Sequence, residues 1–368
     1  MATDRDEPAG GVVTAPLWRR RLPMLLITVA AAALAGAAFR RLGVPLPWVL
    51  GPLTICAAGS IMGLDLRPVP LGRELGQVVI GLVIGLRFTP PVLAATLALL
   101  PAMVVATVYV VIVTTIAAFM LRRLARVDRK TAFFATAAAG MADMAIVARE
   151  RGGDANAVSV VHAIRVAAVV MAVPLLVTAF GEEGSVFEPP SGATGDPLQL
   201  VLLLALGTGA ALLVGRLPFP NPWLVGPIFL AAVLASAGLL LVLVPQPLLI
   251  LAQIMVGIAL GCRFRRELLL QLPRVVGAAL VVTAFLILAA ALAAAVLAAW
   301  AAIPFATAFL AVAPAGVTEM VITANAMHLD ATVVTAFHVM RIAVIAGTIG
   351  VTFAIFERIS RRLDASGT

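Results

Sequence analysis

Apolar runs of membrane length dominate the chain. Pro91 to Leu121 carries no charged residue, and neither does Leu198 to Gly215. A helix needs roughly 20 consecutive apolar residues to cross a bilayer. Charged residues fall in short clusters, and cutting at those clusters leaves twelve segments, six in each half. The first six are about 22–39, 46–64, 75–86, 91–121, 131–148 and 155–180. The second six are about 198–215, 221–244, 248–262, 267–299, 304–326 and 331–356. Pro101 and Pro273 interrupt the long fourth segments and predict kinks there, because proline removes a helix hydrogen bond. Between the halves lies GEEGSVFEPPSGATGDP, which is acidic, rich in Gly and Pro, and free of Lys and Arg. It reads as an exposed linker.

The second half repeats the first. PWVLGP at Pro47 returns as PWLVGP at Pro222, and GQVVIGLVIGLRF at Gly76 returns as AQIMVGIALGCRF at Ala252. AGMADMAI at Ala139 returns as AGVTEMVI at Ala315. Asp154, His162 and Arg165 return as Asp330, His338 and Arg341, always at an offset of 175 or 176. Chance similarity between apolar runs does not supply rare Trp, Gln, His and Arg in one register. The pattern divides the chain into a tail (1–21), a first membrane repeat (22–180), the linker (181–197), a second repeat (198–356) and a tail (357–368). Arg19–Arg21 followed by an apolar run resembles a leader peptide. The first run has an internal twin at 198–215, so its retention is expected.

Composition agrees with the pattern. The chain is 62% hydrophobic and 12% charged, against about 25% charged in a soluble domain. The net charge of +8 is not a nucleic-acid stripe, because the arginines are dispersed among short loops and no nucleic-acid module is present. In a membrane chain they report orientation. Arg19–Arg21, the 122–130 cluster and Arg358, Arg361 and Arg362 all favour the cytoplasm, and the acidic linker favours the outside. All four agree only if each half crosses an odd number of times. Five crossings per half, with 131–148 and 304–326 re-entrant or broken, satisfy them. Only Arg40, Arg41 and Arg87 then lie on the unfavoured side. The expected fold is an all-α polytopic membrane protein of two tandem, inverted repeats. It has about ten crossings plus two re-entrant or broken segments, an architecture typical of secondary transporters.

The polar residues inside the apolar runs are few and doubled. Asp154 and Asp330 precede the sixth segments and read as helix N-caps. His162 and Arg165 then lie about 12 and 16 Å along that helix, near the bilayer middle and on one face; His338 and Arg341 repeat the arrangement. A buried arginine there costs roughly 2.5–3.5 kcal/mol or more, so it must meet a carboxylate, carbonyls, or water and solute. Two roles stay open. One is an internal ion pair, Arg165 with Asp143 and Arg341 with Glu319, tying each fifth segment to its helix. The other is a solute site for an anionic group, with the histidines as proton acceptors or orienters. Gly81/Gly85 and Gly257/Gly261 are small-residue spacings suited to close helix contact. Gly51-Pro52 and Gly226-Pro227 read as helix breaks or hinges. Trp48 and Trp223 read as interfacial anchors, His328 as a loop residue without a role, and Cys56 and Cys262 as packing residues. There is no phosphate loop, nucleophile elbow or histidine cluster, so no enzyme, metal or cofactor is expected.

At PWVLGP, AGMADM…VHAIRV and PAGVTEM…FHVMRI the chain resembles the Gram-negative membrane proteins called AbrB, defined by a duplicated AbrB domain. The resemblance runs from about residue 22 to 356. Members carry names that include "transcriptional regulator" and "ammonia monooxygenase". The regulator name implies an effect on gene expression and not a DNA-binding domain; the soluble DNA-binding AbrB of spore-formers is unrelated. The resemblance implies an architecture similar to cation–proton antiporters and anion transporters, and it brings no site residues with it. Together these readings predict a multi-pass protein of the bacterial inner membrane with both termini cytoplasmic. It would move or sense a small, anionic solute, with H+ or Na+ as a candidate coupling ion. Its partners would be the bilayer, that solute and, as a candidate, a second copy of the chain, with no nucleic acid. A membrane regulator without flux and a membrane monooxygenase are the competing classes.

Overall fold

The computed structural model describes residues 17–179, 195–217, 219–239 and 242–365. Among these residues every regular element but one isolated bridge residue is helical. In chain order they are α1 (Leu17–Arg41), α2 (Pro47–Met62), α3 (Gly72–Gly85), α4 (Pro90–Ala98), α5 (Leu100–Ala125), α6 (Arg129–Thr136), α7 (Met141–Glu150) and α8 (Ala155–Ala179). Then follow α9 (Pro197–Val214), α10 (Pro222–Ser236), α11 (Gln246–Gly261), α12 (Arg266–Gln271), α13 (Pro273–Ala301), α14 (Phe305–Val312), α15 (Val317–Ala326) and α16 (Ala331–Ala365). Most of the 181–197 linker lies outside the described residues.

Seven helices are long and apolar enough to cross a membrane, or eight if α3 and α4, bent by 93°, form one broken span. Helices α2 and α10, at 16 and 15 residues, reach only about 22–24 Å at 1.5 Å per residue, short of a hydrocarbon core of about 30 Å. Length and composition therefore support fewer crossings than the ten expected. The long helices α5, α13 and α16 present rows of exposed apolar side chains, among them Val104, Val108, Ile112, Leu288, Leu292, Val351 and Ile355. A surface of that kind is stable against lipid, where backbone groups are already satisfied within each helix.

The helices sort into two bundles. α1, α2, α3, α9, α10 and α11 pack as a panel, and α5–α8 pack with α13–α16 as a core. Each bundle takes helices from both halves of the chain. Within the panel α2 packs on α11 and α3 on α10, and glycines make both seams possible. A Cβ at Gly81 would lie 2.7 Å from the Leu224 carbonyl oxygen, and one at Gly85 would lie 2.5 Å from that of Ile228. At Gly257 and Gly261 it would lie 2.6 Å from the carbonyl oxygens of Val49 and Leu53. Backbone meets backbone there, as small-residue spacings allow. Left-handed residues also pair across the halves: Leu46 with Asn221, Gly63 with Gly238, Arg126 with Ala302, and Gly152 with His328. His328 thus occupies, at φ +56°, the turn position that glycine holds in the first half.

Two local expectations change. Gly51-Pro52 and Gly226-Pro227 do not break their helices, which run through Pro52 and Pro227. Each proline is the sixth residue of its helix, in the second turn, where it forgoes one hydrogen bond without ending the helix. Their glycines serve packing instead: a Cβ on Gly51 would strike the backbone of Ala35 and Gly36, and one on Gly226 that of Ala210. Pro101 and Pro273 sit at the first turn of α5 and α13, so they start those helices rather than kink them. Helix α16 continues to Ala365, so the expected second tail is helical over its described part.

Candidate functional site

The fifth segment of each half is a pair of short helices joined by four non-helical residues. α6 ends at Thr136 and α7 starts at Met141; α14 ends at Val312 and α15 starts at Val317. The exits match in geometry, with Ala137 at φ −50°, ψ 137° and Ala313 at φ −55°, ψ 141°. Pro314 accounts for the second break, because a residue before proline is driven out of the helical region. The first break has alanine at that place, so no local rule forces it.

Such a break leaves bare carbonyls on one side and bare N–H groups on the other. The His/Arg pairs meet the carbonyls. Arg165 Nη1 donates to the carbonyl oxygens of Thr136 at 2.8 Å and Ala137 at 3.2 Å. Arg341 Nη1 donates to Ala313 at 2.9 Å and its Nη2 to Ala315 at 2.8 Å. His162 Nε2 donates to the Phe134 carbonyl at 3.0 Å and His338 Nε2 to that of Leu310 at 2.9 Å. The other ring nitrogen, Nδ1, accepts from the arginine Nη2, at 3.0 Å for His162 and 2.8 Å for His338. An arginine can only donate, so the neutral Nε2–H tautomer satisfies both contacts. The imidazole orients the guanidinium, and both rings are buried to 1% or less exposure. The positive charge sits at the negative end of a half-helix, where it is most useful.

The carboxylates lie on the opposite side of each break. Asp143 and Glu319 are the third residues of α7 and α15 and fold back over the glycine caps, Gly140 and Gly316. A Cβ on Gly140 would lie 2.6 Å from Asp143 Oδ2. The expected ion pairs do not form. The ion pairs that do form include Arg67–Asp65, Arg122–Asp364, Arg129–Asp364 and Arg361–Glu357. The reason is positional: the guanidinium is committed to the carbonyl side of the break, and the carboxylate folds back over the glycine on the other side.

His162, Arg165, Arg341, Asp143 and Glu319, both breaks and their glycines line one cavity of about 440 Å³ between core and panel. Composition singles out His162, Arg165, His338, Arg341, Asp143 and Glu319; five of them line the cavity, and His338 stands outside the lining, hydrogen-bonded to Arg341. Gly51, Pro52, Gly226 and Pro227 stay outside it. The cavity also recruits Arg73, Asn221, Arg263 and Thr318, which the sequence reading did not select. Arg263 repeats Arg87 of the first half, and Arg73 has no arginine twin. The halves differ at one point. The Thr318 hydroxyl accepts from Gln77 Nε2 at 2.8 Å and Asn221 Nδ2 at 3.3 Å, which ties the tip of α15 to the panel. Gln77 recurs as Gln253, but alanine replaces the threonine in the first half. Glu319 is 4% exposed, whereas Asp143 is open to the cavity.

The profile described as "Transition state regulatory protein AbrB" matches residues 58–357, which contain both breaks and every cavity residue. The chain belongs to the AbrB family. A curated relative, "Uncharacterized protein YhjN" of Bacillus subtilis (strain 168), is 26% identical over 341 residues, covering 86% of this chain and 89% of the relative. "Putative regulator AbrB" of Escherichia coli (strain K12) is 24% identical over 311 residues, covering 83% and 88%. Neither relative is named as an enzyme. Among the described residues no three His, Cys, Asp or Glu side chains gather where they could hold a metal ion.

Proposed function

We propose that this AbrB-family protein is a membrane carrier with inverted repeats that moves a small anionic solute through the cavity at its two helix breaks. The observation that carries this reading is charge. Arg73, Arg165, Arg263 and Arg341 share the cavity with only two carboxylates, Asp143 and Glu319, which leaves a formal charge of +2. Intramembrane charge of that kind is expensive and marks solute pathways. Broken helices at the meeting of two repeats are where secondary transporters bind their solutes. In this reading the short helices α2, α3 and α10 also cross, giving ten crossings, and α6–α7 and α14–α15 enter from opposite faces. Both termini and the Arg73 and Arg263 ends of the panel face the cytoplasm of a bacterial inner membrane. The cavity then opens inward.

The test is uptake into proteoliposomes, preceded by thermal unfolding of the detergent-purified protein against acetate, succinate, phosphate and sulfate. A ligand at about 100 times its dissociation constant raises stability by about 2.7 kcal/mol. Arg73→Gln and Arg263→Gln should remove that shift, because neither side chain caps a helix break. Absence of any shift across the panel would overturn the anion site. A second reading has one observation in its favour, the regulator name carried by the Escherichia coli relative. Ligand binding without flux would select it.

A further inference from the structure

This inference rests on the anion-site reading and names the chemistry of its ligand. Each buried guanidinium has a donor to spare. Arg165 and Arg341 spend Nη1 and Nη2 on carbonyls and on their histidines, but the Nε of each has no acceptor. The two residues are only 4% and 5% exposed. Buried polar groups without partners are uncommon in folded proteins and call for a specific explanation. Asp143 and Glu319 line the same cavity and reach neither atom.

A second feature accompanies each arginine. The N-termini of α7 and α15, ten residues each, end in glycine with no side-chain cap from the preceding residue. Free N–H groups and the helix dipole make such an end receptive to an anion. In this state the only negative groups there are the helices' own carboxylates, folded back from Asp143 and Glu319. An arriving anion would displace them. The cavity therefore holds two receptors of the same construction, one per break.

The rest of the lining is of different chemistry. Met141, Met144, Val166, Val317, Ile342 and Ile345 also line the cavity and offer no strong hydrogen bond to a ligand. An inorganic oxyanion needs donors on every side, and this wall would leave some of its oxygens bare. A monoanion would fill one receptor and leave half of the formal +2 charge uncompensated. We propose that the cavity binds an organic dianion, a short α,ω-dicarboxylate, with one carboxylate at each arginine/half-helix receptor and the carbon chain along the apolar wall.

The experiment is isothermal titration of the full chain in detergent at constant ionic strength. The probes are acetate, butyrate, malonate, succinate, glutarate, adipate, phosphate and sulfate. Dicarboxylates should bind at least ten-fold more tightly than monocarboxylates of equal length, with an optimum at one chain length. Arg165→Lys keeps the charge but removes the Nε donor, and should bring the best dicarboxylate down to the monocarboxylate level. If that variant fails to fold, the chain-length series of the unaltered protein decides alone. Equal binding of mono- and dicarboxylates, or tighter binding of phosphate or sulfate, overturns the two-headed ligand and leaves the anion site standing. Failure of every anion to bind overturns both.

Discussion

Arg165 and Arg341 meet the cost of a guanidinium at membrane depth with backbone carbonyls. Sequence made both residues conspicuous, because charge inside an apolar run is rare. It could not show their partners, since every residue carries a carbonyl and only the fold decides which ones lie bare. One consequence concerns alanine substitution. Arg341→Ala leaves two carbonyls and a histidine nitrogen without donors, at about 1–3 kcal/mol for each buried group. The thermal midpoint of the detergent-purified variant should fall sharply, along with any binding. An unchanged midpoint would show that the arginine serves the ligand and not the helix end. At the other extreme, the exposed Asp65–Arg67 pair contributes little, because solvent screens it. Arg67 holds the Asp65 carboxyl below its ordinary value. Its small contribution is therefore present above the unfolded carboxylate range and lost as pH falls through the lowered folded value. Asp65→Asn should leave the midpoint at neutral pH nearly unchanged.

Helix seams and helix ends were partly legible. The doubled glycine spacings predicted close contact, and the seams of α3 with α10 and α11 with α2 realise it. Gly85→Ala and Gly261→Ala should each destabilise by roughly 1–3 kcal/mol, since the new methyl group meets backbone. Gly277, on α13, has nothing within 4 Å of an added Cβ, so Gly277→Ala should be neutral or stabilising by thermal unfolding. Asp154 and Asp330 cap α8 and α16 as expected, accepting from the amides of Asn156 and Ala157 and of Thr332 and Val333. Replacing either by alanine should lower stability by about 1 kcal/mol. The two breaks were legible unequally. Pro314 announces the second, while Ala138 stands at the same place in the first. That comparison predicts that Pro314→Ala keeps the break, held by Arg341 and His338 alone. A cysteine at Ala315 labelled equally well with and without the proline would confirm it.

A carrier of the kind proposed requires one bundle to move against the other across the charged cavity. The tie from Thr318 to Gln77 and Asn221 belongs to the present arrangement, in which Glu319 is covered and Asp143 is open. Thr318→Ala gives the second half the alanine of the first and should loosen that preference. The measurement is thiol labelling in a background without Cys56 and Cys262. Cysteine at position 143 should react from the cytoplasmic side, and cysteine at position 319 should react slowly until Thr318 is replaced. Equal reactivity of the two positions in the unaltered tether would contradict this assignment of the closed side.

Residue order alone carried the all-helical membrane class, the doubled motifs, the N-caps, the glycine seams and the six polar residues at the helix breaks. Each of these depends on local spacing or on a residue type that is costly in its surroundings. Three matters required the folded chain. The arginines' partners, the packing role of Gly51 and Gly226, and the entry of Arg73 and Arg263 into the cavity all join residues far apart in sequence. Periodicity and spacing report what a segment does along its own axis. Which carbonyl, backbone or cavity it meets is set by how the two halves interleave, and no single segment contains that information.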